Sequence, residues 1–165
     1  MNSQKEDAYE RYRGLMPKSQ DITLLVLKGH LLLEEQLDFF LEEFARNPSL
    51  LQKARLTFLQ KLRLMQAFTG LSMRDELSKF VEQANIVRNQ LAHSAEVGEL
   101  DLKVDDLLKT MFREEFFTPH SKRQRATFLR RAFAYAMAGL RGHAQGFTET
   151  LKHLTERGGL TTRSS

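Results

Sequence analysis

Arg88, Asn89 and His93 stand together in the run Ile86-Val87-Arg88-Asn89-Gln90-Leu91-Ala92-His93. These side-chain types suffice for phosphoryl chemistry on RNA without a metal ion. RNA carries its own nucleophile, the 2′-hydroxyl, so a ribonuclease need only move protons and stabilise the phosphorane. An imidazole titrates near neutrality and can take or deliver the proton. A guanidinium can hold two phosphate oxygens and offset the charge that builds in the transition state.

The element that must position these groups is legible in the surrounding pattern. Leu77, Phe80, Ala84, Val87 and Leu91 fall at steps of three and four, which predicts a helix with a clean core seam. At about 100° per residue, Arg88 lies about 70° from the seam's centre, at its edge. Asn89 and His93 are four apart and share a face roughly opposite the seam, with Glu82, Asn85 and Ile86. All of these side chains are therefore expected to point away from the core. Ser72 is the expected N-cap, with Asp75 and Glu76 in the first turn, and the helix runs to about His93.

The remainder of the chain also reads as helix. A short amphipathic segment over about 4–15 is closed by Pro17. Ser19 and Asp21 offer caps for a long helix to about Arg46. Asn47-Pro48 ends that helix and starts a third segment, expected to run to about Phe68 and stop at Gly70. A shorter helix over about 103–116 is broken by Thr118-Pro119. The last spans about 121–155, with interruptions expected near Gly139 and Gly142, and the tail RGGLTTRSS is expected to fray. The fold class is all-α, an up-and-down four-helix bundle with additional short helices and antiparallel neighbours. Residues 1–18 form an N-terminal extension, 19–156 the helical domain and 157–165 a flexible tail. The first long helix is apolar nearly all round, through Leu24 to Leu27, Leu31 to Leu33, and Phe39 to Leu41. Such a helix needs cover on more than one side. It either sits centrally or meets a second subunit.

Composition narrows the function classes. Among 165 residues, 41% are hydrophobic and 28% charged, as in an ordinary globular domain. The absence of Cys excludes disulfides and thiolate zinc sites. The five His residues show no metal-ligand spacing, so neither metal nor cofactor is expected. The polar N-terminus lacks a signal-peptide core, and no apolar run approaches a membrane span. A cytoplasmic location without membrane contact is the expectation. The net charge of +4 is unevenly placed. No acidic residue occurs between Glu115 and Glu149, a stretch holding Lys122, Arg123, Arg125, Arg130, Arg131 and Arg141. That asymmetry suits a polyanion such as RNA, and equally describes a solvated helix face.

The run from Ile86 to His93 resembles the Arg-Asn-x-x-x-His form of the signature of the HEPN superfamily. Those are helical-bundle proteins, many of them ribonucleases of bacterial defence and toxin–antitoxin systems. The context is similar too, through Gly29-His30-Leu31-Leu32-Leu33-Glu34 and Leu56-Thr57-Phe58-Leu59-Gln60-Lys61, and the likeness covers about residues 20–95. The resemblance implies catalysis by Arg88 and His93, with Asn89 supporting, across a homodimer whose two motifs face one cleft. Two subunits would then supply separate acid and base. In one branch a tyrosine two positions beyond the histidine is the target of nucleotidylation by an antitoxin. Here Ala95 stands there, so that mode of control does not carry over.

Other residues admit plainer roles. His30 and Glu34 are one turn apart and either pair with each other or, through Glu34, orient Arg88 or His93. Asn85 is a further supporting candidate. Lys61 and Arg63 read as solvated flanking residues, and Phe112, Phe116, Phe117, Phe128, Phe133 and Tyr135 as core. Arg113 and His120 make a looser Arg-x6-His pair, but Pro119 interrupts it. Lys122, Arg123, Arg125, Arg130 and Arg131 are candidate RNA-guiding residues. Three functions follow in order. The first is a metal-independent endoribonuclease in a defence or toxin–antitoxin setting, with an antitoxin or regulatory protein as a further partner. The second is a non-catalytic dimerisation or regulatory module similar to mannitol-operon repressors. The third is a sequence-independent nucleic-acid binder.

Overall fold

The computed structural model describes residues 12, 14–72, 75–91, 97–112 and 121–158. Within them the chain is all-α, with six helices and no strand. They are α1 (Ile22–Phe44), α2 (Pro48–Ala54), α3 (Phe58–Thr69), α4 (Glu76–Leu91), α5 (Val97–Lys109) and α6 (Lys122–Gly158). The expected first helix over 4–15 lies mostly outside the described residues, although Tyr12 and Met16 are buried against the core.

Local chemistry sets most boundaries where the sequence placed them. Asp21 caps α1 by accepting from the Leu24 amide at 3.1 Å, and Ser19 in turn accepts from the Asp21 amide. Gly70 closes α3 with φ of 70°, a left-handed conformation glycine adopts without strain. The expected single helix over 48–68 is instead two. Arg55 turns left-handed at φ 48° and ends α2, and Thr57 with Gln60 forms a reciprocal capping box that starts α3. α4 begins at Glu76 rather than just after Ser72, and α5 begins several residues earlier than expected. α6 runs unbroken through Gly139 and Gly142. Gly139 serves close packing rather than interruption, because a Cβ there would lie 2.8 Å from Leu77.

Cross-helix contacts fix the directions. Phe58 stacks on His30, Lys61 reaches Glu34 and Asp38, and Phe68 meets Phe40, so α3 runs parallel to α1. Gly29 abuts Phe133, and Phe44 meets Phe147, so α6 also runs parallel to α1. Pairs Arg63–Glu82 and Gln66–Ser78 set α4 antiparallel to α3. The expected antiparallel relation of consecutive long helices therefore fails between α1 and α3. The physical reason is α2, whose seven residues make the return and let α3 start again in the direction of α1.

α1 occupies the centre, packing on α2, α3, α4 and α6. Leu25, Val26, Leu33, Leu37 and Phe40 are buried there with Leu62 and Met65 of α3 and Leu129, Phe133 and Leu140 of α6. On α4 the expected seam holds. Phe80, Ala84 and Val87 are fully buried, with Leu77 and Leu91 partly so. Each fully buried large side chain contributes about 1.5–3 kcal/mol by leaving water. The edge-to-face contact of Phe80 with Phe133, ring centres 5.3 Å apart, pins α4 to α6. α4 is thus fixed on the side away from Asn89.

Candidate functional site

Arg88 and Asn89 lie on the last turn of α4, both exposed. The Arg88 guanidinium donates to Asn89 Oδ1 at 3.0 Å. Among the described residues Arg88 takes part in no ion pair, in contrast to Arg63 on Glu82 and Arg125 on Asp101 and Asp105. His93, together with Ser94, Ala95, Arg113, Phe116, Phe117 and His120, lies outside the described residues.

The surface around Asn89 follows from where α3 begins. α3 covers α4 at Glu82, which is held by Arg63 at 2.7 Å, and covers α1 at Glu34 and Asp38, both held by Lys61. Seven residues along a helix return to nearly the same face. Asn89 is seven past Glu82, and Leu27 and Leu31 are seven before Glu34 and Asp38. Because α3 starts only at Phe58, level with His30, the same strip of α1 and α4 is not covered by α3 beyond it. That strip carries Asn89, with Ile86 at 44% exposure and Leu31 at 54%. Leu24 and Leu27 are also exposed.

Asn85 departs from its expected place. It is buried, not outward-facing, and its Oδ1 accepts a hydrogen bond from the His30 ring N–H at Nε2, 3.1 Å away. The reason is that α1 packs on a flank of α4 that the apolar seam alone does not reveal. His30 stacks on Phe58, ring centres 4.3 Å apart, so one side chain joins α1, α3 and α4. Its Nδ1 is buried without a hydrogen-bond partner. Burial holds the ring's pKa below the usual histidine value of 6.5. The Asn85 bond and the Glu34 carboxylate oppose that shift, and the positive charges of Arg88 and Lys61 add to it.

Glu34 neither pairs with His30 by hydrogen bond nor reaches Arg88. It accepts from Lys61 Nζ at 2.9 Å, and Asp38 accepts from the same nitrogen at 2.8 Å. Lys61 is therefore no solvated flanking residue, its side chain being 13% exposed. Burial works against its charge, but the bonds to Asp38 and Glu34 outweigh this and raise its pKa. Sequence reasoning missed the pair because the partners lie on different helices. The one available signal was Lys61 four residues after the cap at Thr57, within the first turns of a helix opposite two carboxylates.

The basic stretch on α6 divides in two. Arg125 is held by Asp105 through Nε at 2.6 Å and Nη2 at 2.8 Å, and by Asp101 at 3.0 Å. These bonds, chiefly that to Asp105, raise its already high pKa. Arg130 donates to the Ser19 carbonyl at 2.9 Å, tying α6 to the start of α1. Lys122, Arg123 and Arg131 are exposed. Among the described residues no group of three or more His, Asp or Glu side chains could hold a metal ion. No helix among them is long and apolar enough to cross a membrane. Comparison with family models, with curated proteins and with solved structures returns no match for this chain.

Proposed function

We propose that the chain is a metal-independent endoribonuclease of HEPN type that acts as a homodimer, in a cytoplasmic defence or toxin–antitoxin setting. The observation that carries this reading is Arg88, an exposed cation without an acidic partner among the described residues, held by the neighbouring Asn89 at the end of a helix. A guanidinium so presented can take two oxygens of a phosphodiester. His93, four residues beyond Asn89, is assigned the proton transfers. The 2′-hydroxyl loses its proton to one imidazole and attacks the adjacent phosphorus. The P–O5′ bond breaks and the leaving oxygen takes a proton from the second subunit's imidazole. The products are a 2′,3′-cyclic phosphate and a 5′-hydroxyl.

Leu27, Leu31 and Ile86 on the strip beside Asn89 favour a second copy of the chain against this face, because exposed apolar side chains grouped on one side mark association surfaces. The same observation supports the second reading, a non-catalytic dimerisation or regulatory module. The chemistry is tested with an RNA oligonucleotide and its counterpart carrying 2′-deoxyribose at the scissile nucleotide. Cleavage of the first alone, leaving a cyclic phosphate, supports the ribonuclease. Equal cleavage of both contradicts internal attack. Leu27→Glu with Leu31→Glu, read by light scattering after gel filtration, tests the association.

A further inference from the structure

His30 belongs to none of the chemistry above, yet it is buried against α4. It lies on α1, bonds Asn85 on α4 and stacks on Phe58, the first residue of α3. Asn89 is four residues after Asn85 and lies directly over it on the same face of α4, while Arg88 is three after. The last turn of α4 is therefore held by Val87 and Leu91 on its seam and, on the side facing α1, sits over the His30–Asn85 bond. Beyond Asn85, the exposed Arg88 and Asn89 gain no support from α3, which begins level with His30.

We propose that His30 is a positioning residue of this site, fixing through Asn85 the turn of α4 that presents Arg88 and Asn89. The charged groups that act on the ring are Glu34 from its own helix, Lys61 from α3 and Arg88 from α4. Glu34 is already engaged by Lys61, so a positive charge at His30 meets two cations and one shared carboxylate. Protonation would also place a hydrogen on Nδ1, which is buried and unpartnered. A buried donor without an acceptor is costly, so the charged ring must move or the surrounding contact must open. Acidification thus loosens the Asn85 contact and, with it, the placement of Arg88 and Asn89. The sense of the coupling is fixed: the site is ordered with His30 neutral and perturbed below its depressed pKa.

The inference rests on the ribonuclease reading only for its consequence in catalysis, and its test is independent of activity. Backbone amide resonances of Arg88 and Asn89 are followed by NMR from pH 7.5 to 4.5, alongside the His30 ring resonances. The expected result is that both amides shift with the midpoint of the His30 ring, below the ordinary histidine value. In His30→Gln the amide of glutamine donates to Asn85 without titrating, and the shift is expected to vanish. In His93→Ala it is expected to persist. Unmoved amides in the wild type, or the same titration in His30→Gln, overturn the proposal. With RNA as substrate, His30→Leu is expected to lower the cleavage rate about tenfold or more, as misplacement of a catalytic group does, and His30→Gln to restore most of it. Equal rates in all three contradict a positioning role. A wild type that cleaves nothing while the amides still titrate refutes the ribonuclease and leaves the coupling standing.

Discussion

Replacing Asn85 with Leu removes the acceptor for the His30 ring while keeping the same branching and number of heavy atoms. In the native protein the ring already carries one unpartnered nitrogen, Nδ1. The substitution orphans Nε2–H as well, in a site where His30 is 3% exposed. A buried donor left unmade costs about 1–3 kcal/mol. For a chain of this length each kcal/mol moves the melting temperature by about 2–4 °C. A loss of about 2 kcal/mol therefore lowers it by about 4–8 °C. His30→Leu is expected to cost a similar amount, because it strands the Asn85 amide and removes the stack on Phe58. The double variant has no stranded polar group at this junction. It should be at least about 1 kcal/mol more stable than the two single losses added together. Urea unfolding of the four proteins gives the coupling directly. Simple additivity would refute the view that the two side chains satisfy each other.

Other consequences of the packing are open to similar measurement. A methyl at Gly29 would meet the Phe133 ring at 2.5 Å, so Gly29→Ala is expected to lower the urea midpoint. Overpacking at about 1–3 kcal/mol outweighs the gain in helix propensity of about 1 kcal/mol. Stability also depends on pH through His30, with a definite sign. Its folded pKa is depressed below 6.5, so the unfolded chain takes up the proton first. The contribution of the neutral ring is present above 6.5 and is lost as the pH falls through the folded value. Wild type should lose more stability than His30→Gln between pH 7.5 and 5, and parallel curves would contradict this. Arg125→Met strands Asp101 and Asp105, which are 46% and 20% exposed, so solvent screens part of the penalty. A loss of about 1–2 kcal/mol is expected in urea unfolding, while Arg123→Ala and Arg131→Ala, at exposed positions, leave the midpoint unchanged.

The features legible in the sequence were those governed by local rules. Asp21, Gly70 and the seam through Phe80, Ala84 and Val87 act within one helix, and their spacing carries the signal. The break at Arg55 was also local, since Thr57 and Gln60 spell a capping box, but the surrounding apolar residues continue across it and hid the stop. What escaped was set by contacts between distant segments. The direction of α3 depends on where α2 turns back. The partners of His30, Lys61 and Arg125 stand 20 to 55 residues away. Asn85 shows the limit most clearly. The seam of its own helix places it outside, and only the position of α1 makes it inside. For the candidate site the positions of Arg88 and Asn89 at a helix end followed from periodicity, whereas the exposed strip that carries Asn89, Ile86 and Leu31 required knowing where α3 begins.

Arg88, Asn89 and His93 are proposed to cleave RNA without a metal. The most direct test incubates the purified wild type, Arg88→Ala and His93→Ala with structured and unstructured RNA in excess chelator, after circular dichroism has shown all three equally folded. Cleavage by the wild type, lost in both variants, is the expected result. Cleavage that survives in either variant, or an inert wild type, contradicts the claim and leaves the strip beside Asn89 as a surface for binding alone.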